Sequence, residues 1–77
     1  MCQAMVQASD YRVILGNEIR VQRKRAGLTQ EKLAEKAELH PNYLGRVERG
    51  EETASVASLR RIAKAVGVRV SDLVRGI

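Results

Sequence analysis

Thr29-Gln30-Glu31-Lys32-Leu33-Ala34-Glu35-Lys36-Ala37-Glu38-Leu39-His40-Pro41-Asn42-Tyr43-Leu44-Gly45-Arg46-Val47-Glu48-Arg49-Gly50 is the stretch on which the fold turns. Thr29 is a good helix-capping type, and Glu31 places an acid in the first turn behind it, where the helix dipole favours negative charge. Leu33, Ala34 and Ala37 fall on one narrow apolar face, which predicts a short helix ending near Ala37. Glu38-Leu39-His40 breaks it. Pro41 then restarts a helix, since proline at a first helical position gives up only an N–H that would be unpaired there. Leu44 and Val47 point inward from this second helix, and Gly50 closes it. Two helices of about eight residues, joined so tightly, cross at about 90–120°, and the small Ala34 suits the close approach of their axes. Leu39, Leu44 and Val47 anchor the second helix. His40, Pro41, Asn42, Tyr43, Gly45, Arg46 and Arg49 are expected to face outward, a surface rich in hydrogen-bonding groups and free of acid.

Helical signals extend on both sides. Ser9 and Asp10 are expected N-caps of a first helix, with Leu15, Ile19 and Ala26 recurring on one face around Gln22, and Gly27 as its stop. Ile14 and Val21 make an offset second stripe. Ser55 caps a fourth helix whose buried stripe is Leu59, Ile62, Ala63 and Val66 and whose stop is Gly67. Ser71 is the expected cap of a short fifth helix carrying Leu73 and Val74. No alternating strand pattern, internal repeat or low-complexity linker occurs. The expected organisation is a loosely ordered tail over residues 1–10 and a single all-α domain of five short helices over 11–77, a compact body.

Composition narrows the function. The 77 residues suffice for one small domain. With no Phe or Trp, and only Tyr11 and Tyr43 as aromatics, the core must be Leu, Ile, Val and Ala, which predicts a modest net stability, about 3–5 kcal/mol, and a second subunit to add to it. Cys2 has no partner for a disulfide, which fits a reducing, cytoplasmic setting, and it reads as a bystander in the tail. The longest strongly apolar run, Val13-Ile14-Leu15, is far short of the ~20 residues of a membrane span, and no signal peptide is visible. One His and one Cys do not make a zinc site, and no cofactor or metal is expected. No paired acids, nucleophile–base set or phosphate loop is evident, so an enzyme is not expected. Fourteen Lys and Arg against nine Asp and Glu leave +5, favouring an anionic partner with nucleic acid foremost, though charge alone does not separate it from a membrane surface or an acidic protein.

The segment resembles the helix-turn-helix of the lambda-repressor/Cro-like (XRE-type) DNA-binding family. The resemblance runs from about Leu15 to Val74 and rests on Gly27-Leu28-Thr29-Gln30, Leu33-Ala34, Val47-Glu48-Arg49-Gly50 and the run Leu59 to Val68, LRRIAKAVGV, in that order. LHPNYLGRVERGE, followed by a Leu/Ile/Ala-rich helix, is similar to controller proteins of restriction-modification systems, small dimers that regulate their own operon. The resemblance implies that the helix from Pro41 enters the major groove. Asn42 then suits adenine, Arg46 suits guanine O6/N7, and Tyr43 offers its hydroxyl to a base or phosphate and its ring edge to a thymine methyl. Gln30 matches a phosphate-binding position at a helix N-terminus. Thr29, His40 and Arg49 are further phosphate candidates. Arg23 and Glu48 fall on the positions of a largely buried ion pair locking the first helix to the third, with the rest of the Arg23 guanidinium near a phosphate. Val68, Val70, Leu73, Val74 and Ile77 match a region that forms the dimer seam, their other use being closure of the protomer's own core. Ile14 and Val21 either join that seam or pack on the fifth helix.

Three departures stand out. Glu38 occupies a break that usually holds glycine, so the turn is either strained or differently shaped, a left-handed non-glycine costing on the order of 1 kcal/mol. Pro41 replaces a base-reading Arg or Gln, which shifts readout to Asn42, Tyr43 and Arg46. The loop Glu51-Glu52-Thr53-Ala54 is acidic where relatives are basic, which argues against insertion in a minor groove. The expected protein is a homodimeric, sequence-specific transcriptional regulator without an effector domain, acting on a near-palindromic operator with half-sites roughly 34 Å apart. Glu31, Glu35 and Glu38 are the acidic candidates for contact with RNA polymerase, should it activate. The alternatives are an antitoxin or phage-type repressor and, from another class, a helical protein-interaction module that does not bind DNA.

Overall fold

A computed structural model describes the backbone of residues 3–77 and the side chains from Tyr11 onward; Cys2 and the start of the expected tail lie outside the described residues. Five helices follow in order: α1 (Gln3–Arg25), α2 (Gln30–Ala37), α3 (Pro41–Glu48), α4 (Val56–Val66) and α5 (Val70–Leu73). No strand occurs among the described residues.

The boundaries follow local chemistry. Thr29 accepts a hydrogen bond from the backbone N–H of Lys32 and so caps α2. Ser55 accepts from Ser58 N–H and caps α4, and α4 closes on Gly67 in the left-handed region (φ 78°). His40 caps α3 through Nδ1, which accepts from Asn42 N–H at 3.1 Å. Two expected caps are corrected. The α1 helix runs from Gln3 straight through Ser9 and Asp10, which therefore do not start it; Ala4, Met5, Gln7 and Ala8 are residues a helix tolerates well. At α5 the helix starts one residue before Ser71, and the fixing bond comes from Asp72, whose carboxylate accepts from the Arg69 N–H at 2.9 Å. That bond, and the Arg75 guanidinium beside it, hold the Asp72 carboxyl below its usual range.

The core is aliphatic: Leu15, Ile19, Leu33, Ala34, Ala37, Leu44, Val47, Ala54, Leu59, Ile62, Ala63 and Leu73. Leu73 leaves the expected dimer seam, because it is wholly buried within the protomer. A four-residue helix has room for one inward side chain, and Leu73 takes that place, while half-buried Val68, Val70 and Val74 pack against the core. Ile14 is partly exposed and lies against the C-terminal turn, where a Cβ on Gly76 would come 2.7 Å from its Cγ2.

Two backbone features set the position of α3. Glu38 adopts the left-handed conformation (φ 56°, ψ 43°), the only described non-glycine residue with positive φ. Of the two outcomes left open by the sequence, the turn is therefore the strained one. Its N–H bonds the Glu35 carbonyl at 3.2 Å and that of Leu39 bonds the Ala34 carbonyl at 2.8 Å, so the end of α2 is satisfied despite the strain. On the other side, Gly16 of α1 lies directly on the end of α3: a Cβ there would stand 2.3 Å from the Val47 carbonyl oxygen and 2.6 Å from that of Glu48. Only a residue without a side chain permits this approach.

Candidate nucleic-acid interface

The inner side of α3 is locked by a buried ionic cluster. The Glu48 side chain has no exposed surface, and Arg23 grips it through Nε at 2.8 Å and Nη2 at 3.2 Å. The Arg23 Nη1 donates to the Leu28 carbonyl at 2.9 Å. Gln30 Nε2 donates to Glu48 Oε1 at 3.0 Å, and Arg20 reaches the same oxygen at 3.6 Å. The Arg23–Glu48 pair expected from the resemblance is thus present. It includes Gln30 and Arg20, which the spacing of residues did not indicate. No buried side-chain nitrogen or oxygen is left without a partner among the described residues, so the cluster meets the condition under which a buried ion pair is tolerated. With Arg23 so enclosed, little of it is left for a phosphate.

The outer side presents a shallow cleft of about 570 Å³ between the start of α2 and the outer edge of α3. Thr29, Gln30, Asn42, Arg46 and Arg49 line it together, with Pro41, Gly45, Glu31 and Glu51 completing the wall. Asn42 is exposed, and its side-chain amide has no protein partner among the described residues. Thr29 uses its oxygen as the α2 cap and keeps its hydroxyl proton for another acceptor. Gln30 commits one of its two amide protons to Glu48. Because His40 Nδ1 accepts from the backbone, a neutral ring carries its proton on Nε2, an outward donor.

Two residues expected to lie open on the outer face are covered. Tyr43 is half-buried, and its hydroxyl donates to Ser58 Oγ at 3.2 Å while accepting from Ser55 N–H at 3.3 Å. Its ring flanks the core, because residue 43 sits one turn before buried Val47. Gly45 faces the cleft beneath the Arg49 side chain: a Cβ there would come 3.1 Å from Arg49 Nη1, so the missing side chain leaves room for that guanidinium. The face expected to be free of acid also acquires two carboxylates from the following loop. Arg46 Nε meets Glu52 Oε1 at 2.8 Å, and Arg49 meets Glu51 through Nε at 2.9 Å and Nη2 at 3.3 Å. The hydrogen bond from Arg49 and the charges of Arg49 and Arg46 hold the Glu51 carboxyl below its usual range.

A helix-turn-helix family profile matches residues 19–73. The chain belongs to this helix-turn-helix family. It is a DNA-binding transcriptional regulator. The control protein C.BamHI of Bacillus amyloliquefaciens is 33% identical over 66 residues, covering 84% of this chain and 82% of its own. The immunity repressor protein of Bacillus phage phi105 is 42% identical over 60 residues, covering 78% of this chain and 42% of its own. Among solved structures, the restriction-modification controller protein C.AhdI from Aeromonas hydrophila matches with a TM-score of 0.78 at 34% identity, over 80% of this chain and 94% of its own. Among the described residues of this helix-turn-helix regulator, no helix is long and apolar enough to cross a membrane, and no group of three or more His, Cys, Asp or Glu could hold a metal ion.

Proposed function

We propose that the protein is a cytoplasmic controller of its own operon that binds a near-palindromic operator as a homodimer. The observation that carries this reading is the single cleft bringing Asn42, Arg46, Arg49, Gln30 and Thr29 to one outer edge, with the end of α3 held rigid behind it. Asn42 and Arg46 read base edges in the major groove, where Asn suits adenine and Arg suits guanine. Thr29, Gln30, His40 and Arg49 bind phosphates and set the register. Tyr43, tied to α4, serves as a buttress whose ring edge borders the bases. The exposed Ile77 and half-buried Val68, Val70 and Val74 supply the apolar surface of the seam. Residues 11–77 form the working domain. Occupancy of the promoter represses; contact of Glu31, Glu35 or Glu38 with RNA polymerase would activate.

Footprinting on the DNA just upstream of its own gene tests the reading. Two protected half-sites roughly 34 Å apart are expected, and binding should weaken by orders of magnitude between about 50 and 200 mM salt. Binding with no salt dependence, or protection of a single half-site by the wild-type chain, would refute it. The 42% identity to a phage immunity repressor favours a second reading, a phage-type repressor. A restriction-modification operon beside the gene supports the first, and a phage gene neighbourhood the second.

A further inference from the structure

The two outward arginine–glutamate pairs both hold their arginines on the Nε side, one through two bonds and the other through one. Glu51 takes Nε and Nη2 of Arg49 and so occupies one whole side of that guanidinium. Glu52 takes only Nε of Arg46. A guanidinium presents two parallel N–H bonds from the Nη1/Nη2 end or from the Nε/Nη2 side, and guanine O6 and N7 accept such a pair. With Nε held, Arg46 has its Nη1/Nη2 end as the remaining two-pronged edge. Both side chains are 40–45% exposed, so the pair sits in solvent beside the cleft and is not buried with the core. A carboxylate in that position also repels phosphate, whereas the acceptors of a guanine edge carry no net charge.

We propose that Glu52 is a specificity-determining positioning residue: it holds Arg46 by Nε, so that Arg46 offers its Nη1/Nη2 end to a guanine edge and gains little from an unselected phosphate. This rests on the reading of Arg46 as a base-contacting residue. Glu52 then favours the correct site over bulk DNA by lowering affinity for the bulk, a use of repulsion that raises discrimination without adding a contact. Glu51 stands beside a phosphate-binding arginine, so its removal strengthens binding to all duplexes alike.

The test uses the full chain and the duplex it selects from a randomised pool, single base-pair variants of that duplex, and a scrambled duplex. Wild type, Arg46→Ala, Glu52→Gln and the double variant are compared by titration and by thermal melting. Arg46→Ala identifies the base pair at which discrimination is lost. Glu52→Gln is expected to keep wild-type melting, to lower discrimination at that same base pair about fivefold to tenfold, and to bind the scrambled duplex about threefold more tightly. In the Arg46→Ala background, Glu52→Gln should no longer affect discrimination at that base pair, whereas its tighter binding to the scrambled duplex, which comes from the lost negative charge, should persist. If Glu52→Gln keeps full discrimination while Arg46→Ala loses it, Glu52 is a passive neighbour and only the role of Arg46 survives. The proposal is equally overturned if Glu52→Gln changes base-pair discrimination as strongly without Arg46 as with it. If Arg46→Ala itself keeps discrimination at every base pair, the base-reading role fails and the proposal with it.

Discussion

Helix α3 carries arginine–glutamate chemistry on both sides. On the inner side Glu48 is enclosed, with Arg23, Gln30 and Arg20 converging on it. On the outer side Arg46 and Arg49 meet Glu52 and Glu51 in the open. The same functional groups do different work because the solvent around them differs. Charges removed from water must keep all their partners or destabilise the fold, so the inner cluster fixes where α3 sits. Charges left in water gain little from pairing and exchange partners readily, so the outer pairs can yield to a ligand. An interface that reads DNA needs both: a rigid back, so that the edge is presented in one orientation, and a front whose contacts are replaceable.

The comparison can be broken most decisively at Glu48. Glu48→Ala leaves Arg23 without its partner and is expected to destabilise the domain by about 3–5 kcal/mol, lowering the melting temperature by well over 10 °C, since each kcal/mol moves a domain of this size by roughly 4–8 °C. Operator affinity should fall with it. Wild-type melting and binding would show that the cluster does not hold α3. The next largest effect is expected at Gly16. Gly16→Ala pushes a methyl into the carbonyls of Val47 and Glu48, and overpacking of this kind costs about 1–3 kcal/mol. The better helix propensity of alanine offsets only part of that. A stabilised variant in chemical denaturation would mean that α1 and α3 separate without loss, so the inner side is less rigid than argued.

Glu38→Gly sharpens the comparison with the opposite sign. Glycine relieves the left-handed turn but widens the freedom of the unfolded chain, and the net expected gain is about 0.5–1 kcal/mol in denaturant unfolding. A loss would show that the Glu38 side chain contributes something beyond its backbone. The smallest effect belongs to the outer pairs. Glu51 is held below its ordinary carboxylate range by Arg49, so its folded pKa lies under its unfolded one. The stabilisation is therefore present above the unfolded pKa and lost as pH falls through the folded value. Glu51→Gln should barely move the melting temperature at pH 7, and the residual difference from wild type should shrink as pH falls below the ordinary glutamate range. A large, pH-independent loss would place Glu51 with Glu48 among the structural acids.

The helices themselves were largely legible in the residues. Thr29, Ser55 and Pro41 mark starts, and Gly67 marks a stop, through bonds local to each end. Glu38 was visible as a misfit, and the structure shows how the misfit resolves. Leu73, Tyr43 and Gly16 were harder for one reason: periodicity assigns a residue to a face but does not say what lies opposite. Leu73 is apolar whether it faces a partner or its own core, and Tyr43 lies at the edge of a stripe where a half-turn decides between solvent and α4. The significance of Gly16 lies in the two carbonyls of α3, more than thirty positions along the chain, that approach it.

Sequence alone determined that this chain is a five-helix body with two short crossing helices at its centre and polar groups on the second of them, because caps, breakers and apolar spacing act within a turn or two of backbone. It also named Arg23 and Glu48 as partners through the family resemblance. Tertiary structure decided which arginines are locked and which are lent to solvent. That depends on whether a carboxylate from elsewhere in the chain arrives in a dry or a wet place, and water content is a property of the packed whole.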